Sequence, residues 1–172
     1  STTNPCTLDQ NRSLKSLTID SGAILNGETH TLTVTHEGDA SSGTEHYAVN
    51  NNSTASHTAL DLKFIYNAET AVKLGASNGF RNIIIEHADA DVNQVGVANI
   101  TGNLTITSGI YDAGNDGLTV TGITTVSGTL LLNNSNPTNL GAAYTADYGL
   151  EATGGASVIN MGGATVSSGA VN

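Results

Sequence analysis

Short segments along the chain alternate apolar with polar residues. In residues 104–107 (LTIT) and 118–121 (LTVT), Leu, Ile or Val alternates with Thr. Because successive side chains of a strand point to opposite faces, Leu104 and Ile106 are predicted to face a core and Thr105 to face solvent. The Ser-Gly and Asn-Asp-Gly elements near these segments supply turns, since Gly, Asn and Asp tolerate a positive φ. The pattern predicts short strands joined by tight turns.

The middle of the chain also predicts strands, though less regularly. Residues 60–66 (LDLKFIY) alternate and predict a half-buried strand. Residues 82–87 (NIIIEH) hold a continuous apolar run, which is typical of a strand covered on both sides. Residues 68–76 predict either another strand or one helical turn. The sequence does not decide whether residues 60–98 continue one architecture.

Two segments of the chain are near-copies of each other. Residues 17–35 (LTIDSGAILNGETHTLTVT) and 104–121 (LTITSGIYDAGNDGLTVT) match at ten positions in order, six in the first part and four in the last, with a one-residue gap. One such unit cannot bury its own apolar face, whereas stacked units can. The repeat therefore predicts a β-solenoid, a stack of coils that each contribute short strands.

The spacing of threonines supports this prediction. Thr105, Thr125 and Thr165 are separated by 20 and 40 residues, and a period near twenty suits one coil of a solenoid. Thr145 falls on the same grid. Its neighbours, TADYG, are unlike those of a core strand, so we interpret this fourth match as accidental.

Composition narrows the class of protein. The chain has 172 residues, no Trp, two Phe and many Thr, Val and Ile, which favours a single all-β domain. Fifteen acids and five bases give a formal net charge of -10, and the bases are scattered, which disfavours nucleic-acid binding and anionic membranes. No apolar run approaches the roughly 20 residues that span a bilayer. Cys6 cannot form an internal disulfide and is interpreted as a small apolar residue of an N-terminal cap.

The chain is predicted to be one domain with additions. Residues 1–13 are interpreted as a cap or linker, and 14–172 as a single solenoid-like domain. In residues 36–58 and 133–154, apolar residues do not recur with a clear period. Both ranges are predicted to be loop excursions, which are common binding elements on rigid scaffolds. The chain begins without Met and ends inside a strand–turn unit, so we expect a segment of a larger protein.

The repeat pattern, L-T-[IV]-x-S-G-x-x-x-x-G-x(3-4)-L-T-V-T, resembles the degenerate repeats of bacterial surface adhesins with right-handed parallel β-helix folds. It is also similar to repeats of bacteriophage tail fibres and other virion appendages. The resemblance covers residues 14–38, 99–134 and 155–172, and it implies an extended, non-catalytic, surface-exposed protein. The predicted fold is thus an all-β, right-handed parallel β-helix or β-solenoid with two excursions, with a β-sandwich or a trimeric β-fibre as alternatives.

Two acidic segments are candidate calcium sites, because carboxylate and amide oxygens are ligands for hard cations. The first holds Glu86, Asp89, Asp91 and Asn93. Its D-x-D-x-N start copies a calcium loop, but Gln94 and Ile100 replace the Gly and Glu that an EF-hand needs. The interpretation without a metal is a solvated acidic turn after a buried strand.

The second candidate calcium segment holds Asp112, Asn115 and Asp116 between glycines. It is similar to the calcium-binding nonapeptides of parallel β-rolls, but its glycine order differs and it is not repeated. Turn formation alone accounts for each of these residues.

Other chemistry is only weakly indicated. The spacing of the five histidines matches no zinc ligand set, and they are interpreted as exposed loop residues: His30, His36, His46, His57 and His87. Carboxylate pairs such as Asp89 with Asp91, or Asp112 with Asp116, are the formal candidates for a polysaccharide-acting enzyme, but Trp platforms are absent. Outward Thr-x-Thr elements suggest ice binding as a further function, although these elements lie on two different arms of the coil.

These observations predict a non-catalytic, extracellular structural or adhesive segment of a surface adhesin, filament or appendage, at a cell or virion surface. Its expected partners are neighbouring copies or further repeats, and a surface glycan or host receptor, with neither nucleic acid nor membrane insertion. No cofactor is expected apart from the candidate calcium. The alternatives are a phage tail-fibre or capsid-decorating protein and a polysaccharide-acting β-helix enzyme.

Overall fold

The computed structural model describes residues 6–35, 47–54, 57, 60–66, 69–75, 80–114 and 116–132 with their side chains, and the backbone of 138–139, 143–146, 150–152 and 159–160. These residues form strands and turns, and no helix occurs among them. The strands are β1 (Cys6–Thr7), β2 (Arg12–Leu14), β3 (Leu17–Ile19), β4 (Leu25–Asn26), β5 (Thr31–Val34), β6 (Tyr47–Asn51), β7 (Asp61–Phe64), β8 (Glu69–Lys73), β9 (Asn82–Gln94), β10 (Ala98–Ile100), β11 (Leu104–Asp112), β12 (Leu118–Val120), β13 (Ile123–Val126), β14 (Thr129–Leu132), β15 (Thr138–Asn139), β16 (Ala143–Ala146), β17 (Leu150–Ala152) and β18 (Ile159–Asn160).

The strands stack into three parallel ladders, which we call arms. Arm 1 runs through β2, β5, β7, the first part of β9, the first part of β11, β13 and β16. Arm 2 runs through β3, β6, β8, the last parts of β9 and β11, β14 and β17. Arm 3 holds β1 and β4 at one end and β10, β12, β15 and β18 at the other. The protein is thus an all-β parallel β-solenoid of about five turns, as predicted.

The core is built by residues in register along each arm. In arm 1, one inward ladder joins Leu14, Val34, Phe64, Ile85, Ile106 and Val126. All of these except Leu14 are buried, and burial of each such side chain stabilises the fold by about 1.5–3 kcal/mol. The alternation predicted for residues 60–66 is confirmed, because Leu60, Leu62, Phe64 and Tyr66 are all buried.

The middle of the chain continues the solenoid. Residues 69–73 form strand β8 rather than a helical turn. In the apolar run of β9, Ile83 and Ile85 are fully buried while Ile84 is only partly so. Ile84 faces outward between Lys63 and Thr105 of the neighbouring coils, so this strand is covered on one face rather than on both.

The threonine period is a true register. Thr105 pairs with Thr125, and Thr125 pairs with Thr145. The interpretation of Thr145 as accidental is therefore wrong. Its strand, AYTA, has Ala at both ends, and the coil length of twenty places it in the ladder despite the weak local pattern.

The ten-position repeat is offset from the coil by one arm. Leu17–Ile19 lies in arm 2, whereas its partner in the alignment, residues 104–106, lies in arm 1. The match arises because every arm needs the same alternation of apolar and polar residues. The turns do correspond, since Gly22 and Gly109 adopt φ of 77° and 82°.

Described strands fall inside both predicted excursions. Residues 47–51 form β6 of arm 2, with Ala48 and Val49 fully buried, and strands β15, β16 and β17 fall inside 133–154. The prediction is therefore wrong for these residues. The polarity pattern of the sequence does not indicate β6 as a strand, because β6 carries a register shift between Tyr47 and Val49 that interrupts the alternation. Of the two predicted excursions, residues 36–46, 55–56, 58, 133–137, 140–142, 147–149 and 153–154 lie outside the described residues.

The N-terminal residues belong to the first coil. Strand β1 pairs with β4, and β2 pairs with β5, so residues 6–13 are neither a linker nor a separate unit. Cys6 is exposed with a free thiol, and among the described strands β1 pairs with β4. Within the described part of the chain, no helix has the length and apolarity needed to cross a bilayer.

Side chains also connect the coils at the corner before arm 1. The Asn103 N–H donates to Asn82 Oδ1 at 2.8 Å, and the Ile123 N–H donates to Asn103 Oδ1 at 2.8 Å. Gly102 and Gly122 pass beneath these amides, where a Cβ would collide with the asparagine oxygens. Asparagine and glycine are thus both required for close stacking at this corner.

Candidate functional site

Carboxylates from successive coils collect on the outward side of arm 2. Glu69 of β8 pairs in register with Asp91 of β9, and Asp112 of β11 pairs with Asn93 of β9. The Asn93 amide donates to Glu69 Oε1 at 2.8 Å. We call these four residues the acidic face. They come together because the in-register spacings between coils, 22 residues from Glu69 to Asp91 and 19 from Asn93 to Asp112, bring distant positions of the sequence side by side.

Asp91 is the perturbed member of the acidic face. Burial raises the pKa of its carboxyl, and the negative charges of Glu69 and Asp112 raise that pKa further. Its Oδ1 has no hydrogen-bond partner among the described residues. Tyr66, which is almost fully buried, lies within electrostatic reach, since burial and then Asp91 raise the pKa of its phenol.

The first candidate calcium set is divided between two sides of a corner. Glu86 forms an ion pair with Lys63 of the preceding coil, whereas Asp91 and Asn93 lie beyond the corner on the acidic face. Asp89 is exposed, and its backbone N–H donates to His87 Nδ1 at 3.2 Å. The separation arises because β9 pairs with β11 through register shifts between its two halves.

In the second candidate calcium set, Asp112 and Asp116 already accept backbone hydrogen bonds. Asp112 Oδ1 accepts from the Gly114 N–H at 2.7 Å, and Asp116 Oδ2 accepts from the Gly96 N–H at 2.7 Å. Both bonds stabilise turns. Asn115 lies outside the described residues. Among the residues that the structure describes, no group of three or more His, Cys, Asp or Glu side chains is arranged to hold a metal ion.

A shallow groove of about 380 Å³ lies at the corner between arms 1 and 2. Its floor consists mainly of the Ser108–Gly109 and Ser127–Gly128 turns. The groove forms because these turns are tighter than the wider corner at residues 86–90 of the coil before them. Its lining carries no charged side chain, so it offers shape and backbone polarity rather than electrostatic attraction.

One histidine differs from the expectation of exposed loop residues. His57 is fully buried, while His30 and His87 are partly exposed and His36 and His46 lie outside the described residues. Nothing in its local sequence, STASHTA, distinguishes it from a surface position. Its burial follows from arm 3, where no described strand lies between β4 and β10.

The threonines that suggested ice binding do not form a continuous column. On arm 1, Lys63 and Ile84 separate Thr33 from Thr105 in the outward ladder, and Thr119 lies on arm 3. The acidic face is therefore the most distinctive outward surface. A carboxyl whose pKa is raised beside other carboxylates is a pattern found in acid–base pairs, and the same oxygens suit hard cations.

No protein-family model, curated protein or solved structure matches this chain.

Proposed function

We propose that this chain is a non-catalytic structural or adhesive segment of an extracellular surface adhesin, filament or appendage. The observation that carries the proposal is the uninterrupted arm 1 ladder, which joins seven strands in parallel register. Each coil adds about 4.8 Å to such a stack without widening it. The architecture therefore suits a spacer that holds surface groups at fixed intervals.

The surface properties support a location outside the cell or on a virion. The net charge of -10 keeps such a rod soluble and separated from nucleic acids. The expected partners are further repeats or neighbouring copies, which would pair with strand edges at the ends of the stack, and a surface glycan or host receptor. The acidic face supplies acceptors for the hydroxyl groups of a glycan.

Solution mass and shape test the structural role. The experiment is light scattering after size exclusion, with small-angle scattering on the same fractions, in calcium and then in chelator. We expect one copy, or linear assemblies whose length grows by whole copies at constant cross-section. A compact trimer of fixed mass would instead favour the phage-fibre or capsid-decorating alternative. A mass that changes with calcium would support the candidate calcium residues.

A polysaccharide-acting enzyme is the second candidate, and the raised pKa of Asp91 beside Glu69 and Asp112 favours it. Reducing-sugar release from a panel of acidic and neutral polysaccharides tests it. Turnover that Asp91→Asn abolishes and Asp89→Asn retains would overturn the non-catalytic proposal. We expect no turnover from either variant or from the wild type.

A further inference from the structure

His57 occupies the part of arm 3 between β4 and β10, where no described strand lies. It lies after β6 and before β7, inside the stack, with no exposed surface. Its ring stacks on Phe80, with centroids 5.5 Å apart and planes inclined by 21°. The side chain thus fills space that a strand occupies in the coils beyond β10.

The hydrogen bonds of His57 require a neutral ring. The Leu25 N–H of β4 donates to Nδ1 at 3.3 Å, so Nδ1 carries a lone pair and the proton of the neutral ring is on Nε2. Nε2 lies 3.1 Å from Asn51 Oδ1 and donates to it. A second proton would have to occupy Nδ1, directly opposite the Leu25 N–H.

Asn51 extends this arrangement into a network across three coils. Its Nδ2 donates to the Leu74 carbonyl at 2.8 Å, and its Oδ1 also accepts the Ser53 N–H at 3.0 Å. Ser53 Oγ donates to the Ala23 carbonyl at 2.6 Å. Asn51, Ser53 and His57 therefore connect the coil of β4 to the coil that carries Leu74 and Phe80.

Among the described residues, no charged group compensates a protonated ring. Burial lowers the pKa of His57 and outweighs an opposing contribution from the Leu25 backbone, and no charged group contributes to the shift. Arg81, next to Phe80, is engaged by Asp61 at 2.8 Å, and Lys73 donates to Asn52 Oδ1 at 2.8 Å. The other titratable residues on the flanking elements are Asp20 before β4 and Tyr47 at the start of β6.

We propose that His57 is an acid-sensitive latch, whose protonation breaks the contacts that join Asn51, Ser53 and His57 to the neighbouring coils and opens the N-terminal coils while the later coils stay folded. The imidazolium loses the Leu25 hydrogen bond and cannot remain buried without a counter-charge. The later coils carry continuous ladders in all three arms and have no buried histidine among their described residues. Acid therefore weakens one end of the solenoid selectively.

The sign follows from the lowered pKa. The folded state favours the neutral ring, so the latch contributes fully above the ordinary value of 6.5. Its contribution falls as the pH decreases below that value, until the pKa of the folded state is passed. The expected opening thus begins below about pH 6.5.

Hydrogen exchange with mass spectrometry between pH 7.5 and 4.5 tests the latch. After correction for intrinsic exchange, we expect peptides covering 17–26 and 47–66 to exchange at least tenfold faster at pH 4.5, with 104–132 unchanged. His57→Gln can keep both hydrogen bonds without titrating and should abolish the change. His30→Gln and His87→Gln are matched controls that should retain it.

Three results would overturn the proposal: no change in the wild type, the same change in His57→Gln, or simultaneous loss of protection in all coils. If His57→Gln does not fold, imidazole ¹⁵N spectra of the wild type provide the decision. We expect a neutral His57 with its proton on Nε2, titrating below the ordinary histidine value of 6.5. A proton on Nδ1, or titration at or above that value, would refute the latch.

Discussion

Tyr111→Phe tests whether a buried polar contact stabilises the junction of two coils. Tyr111 is fully buried, and its hydroxyl donates to Gln94 Oε1 at 2.9 Å. Gln94 Nε2 donates in turn to the carbonyls of Gly96 and Gly117, both at 2.9 Å. The amide thus joins the turn of one coil to the turn of the next and to the core.

Removing the hydroxyl leaves Gln94 Oε1 buried without a donor, since only 5% of that residue is exposed. A buried acceptor left unsatisfied costs about 1–3 kcal/mol. In a chain of this size each kcal/mol lowers the melting temperature by about 2–4 °C. We therefore expect Tyr111→Phe to lower it by roughly 2–12 °C.

The assay is urea unfolding followed by circular dichroism, in a double-mutant cycle with Gln94→Met. Gln94→Met strands the Tyr111 hydroxyl, while the Gly117 carbonyl keeps the Ala98 N–H at 2.9 Å. The double variant removes donor and acceptor together, so the two single costs should not add, with a coupling of about 0.5–3 kcal/mol. A Tyr111→Phe variant as stable as the wild type, or a coupling near zero, would refute the reasoning.

Two further substitutions test the corner and the acidic face. Gly122→Ala should lower the free energy of unfolding by about 1–3 kcal/mol, because the new Cβ would lie 2.7 Å from the Gly102 carbonyl oxygen. Urea unfolding of this variant and of the exposed control Thr121→Ala measures the loss, and equal stabilities of the two variants would contradict the prediction. Asp91→Asn should raise the melting temperature at pH 7, because the raised pKa of Asp91 means that folding favours its protonated carboxyl. The stability that the protonated carboxyl contributes is present below the ordinary pKa of 3.8 and is lost as the pH rises through the pKa of the folded state. The gain should disappear near pH 3 and be absent in Asp89→Asn, and a gain independent of pH would exclude the proposed cause.

The strands with regular alternation could be predicted from the sequence, because their burial depends on local pattern alone. Residues 60–66 and 104–107 place apolar side chains inward at every second position, and the register of the structure agrees. β6 could not be predicted in this way. Its last residue, Asn51, is polar and buried, and what keeps it there is hydrogen bonding to other coils, which local periodicity does not report.

The acidic face was missed for a related reason. Sequence proximity selects Asp89 with Asp91, whereas the structure places Asp91 beside Glu69 and Asp112, which are 22 and 21 residues away. Neighbours across coils can be found only when the length of each coil is known. The in-register spacings in arm 1 run from 20 residues between Leu14 and Val34 to 30 between Val34 and Phe64, so a fixed period cannot align them.

The two ends of the described solenoid are stabilised by different means. Beyond β10, backbone hydrogen bonds continue in all three arms, and these bonds do not titrate near neutral pH. Between β4 and β10, no described strand pairs in arm 3, and the side chains of Asn51, Ser53 and His57 connect the coils. One backbone hydrogen bond, from the Asn99 N–H to the Gly75 carbonyl at 3.3 Å, also lies there. Side-chain bridging allows a coil of irregular length to fit the stack, as the 30-residue step from Val34 to Phe64 requires. Because side chains connect these coils, their stability depends on one ionisable ring. Backbone pairing alone would carry no such dependence.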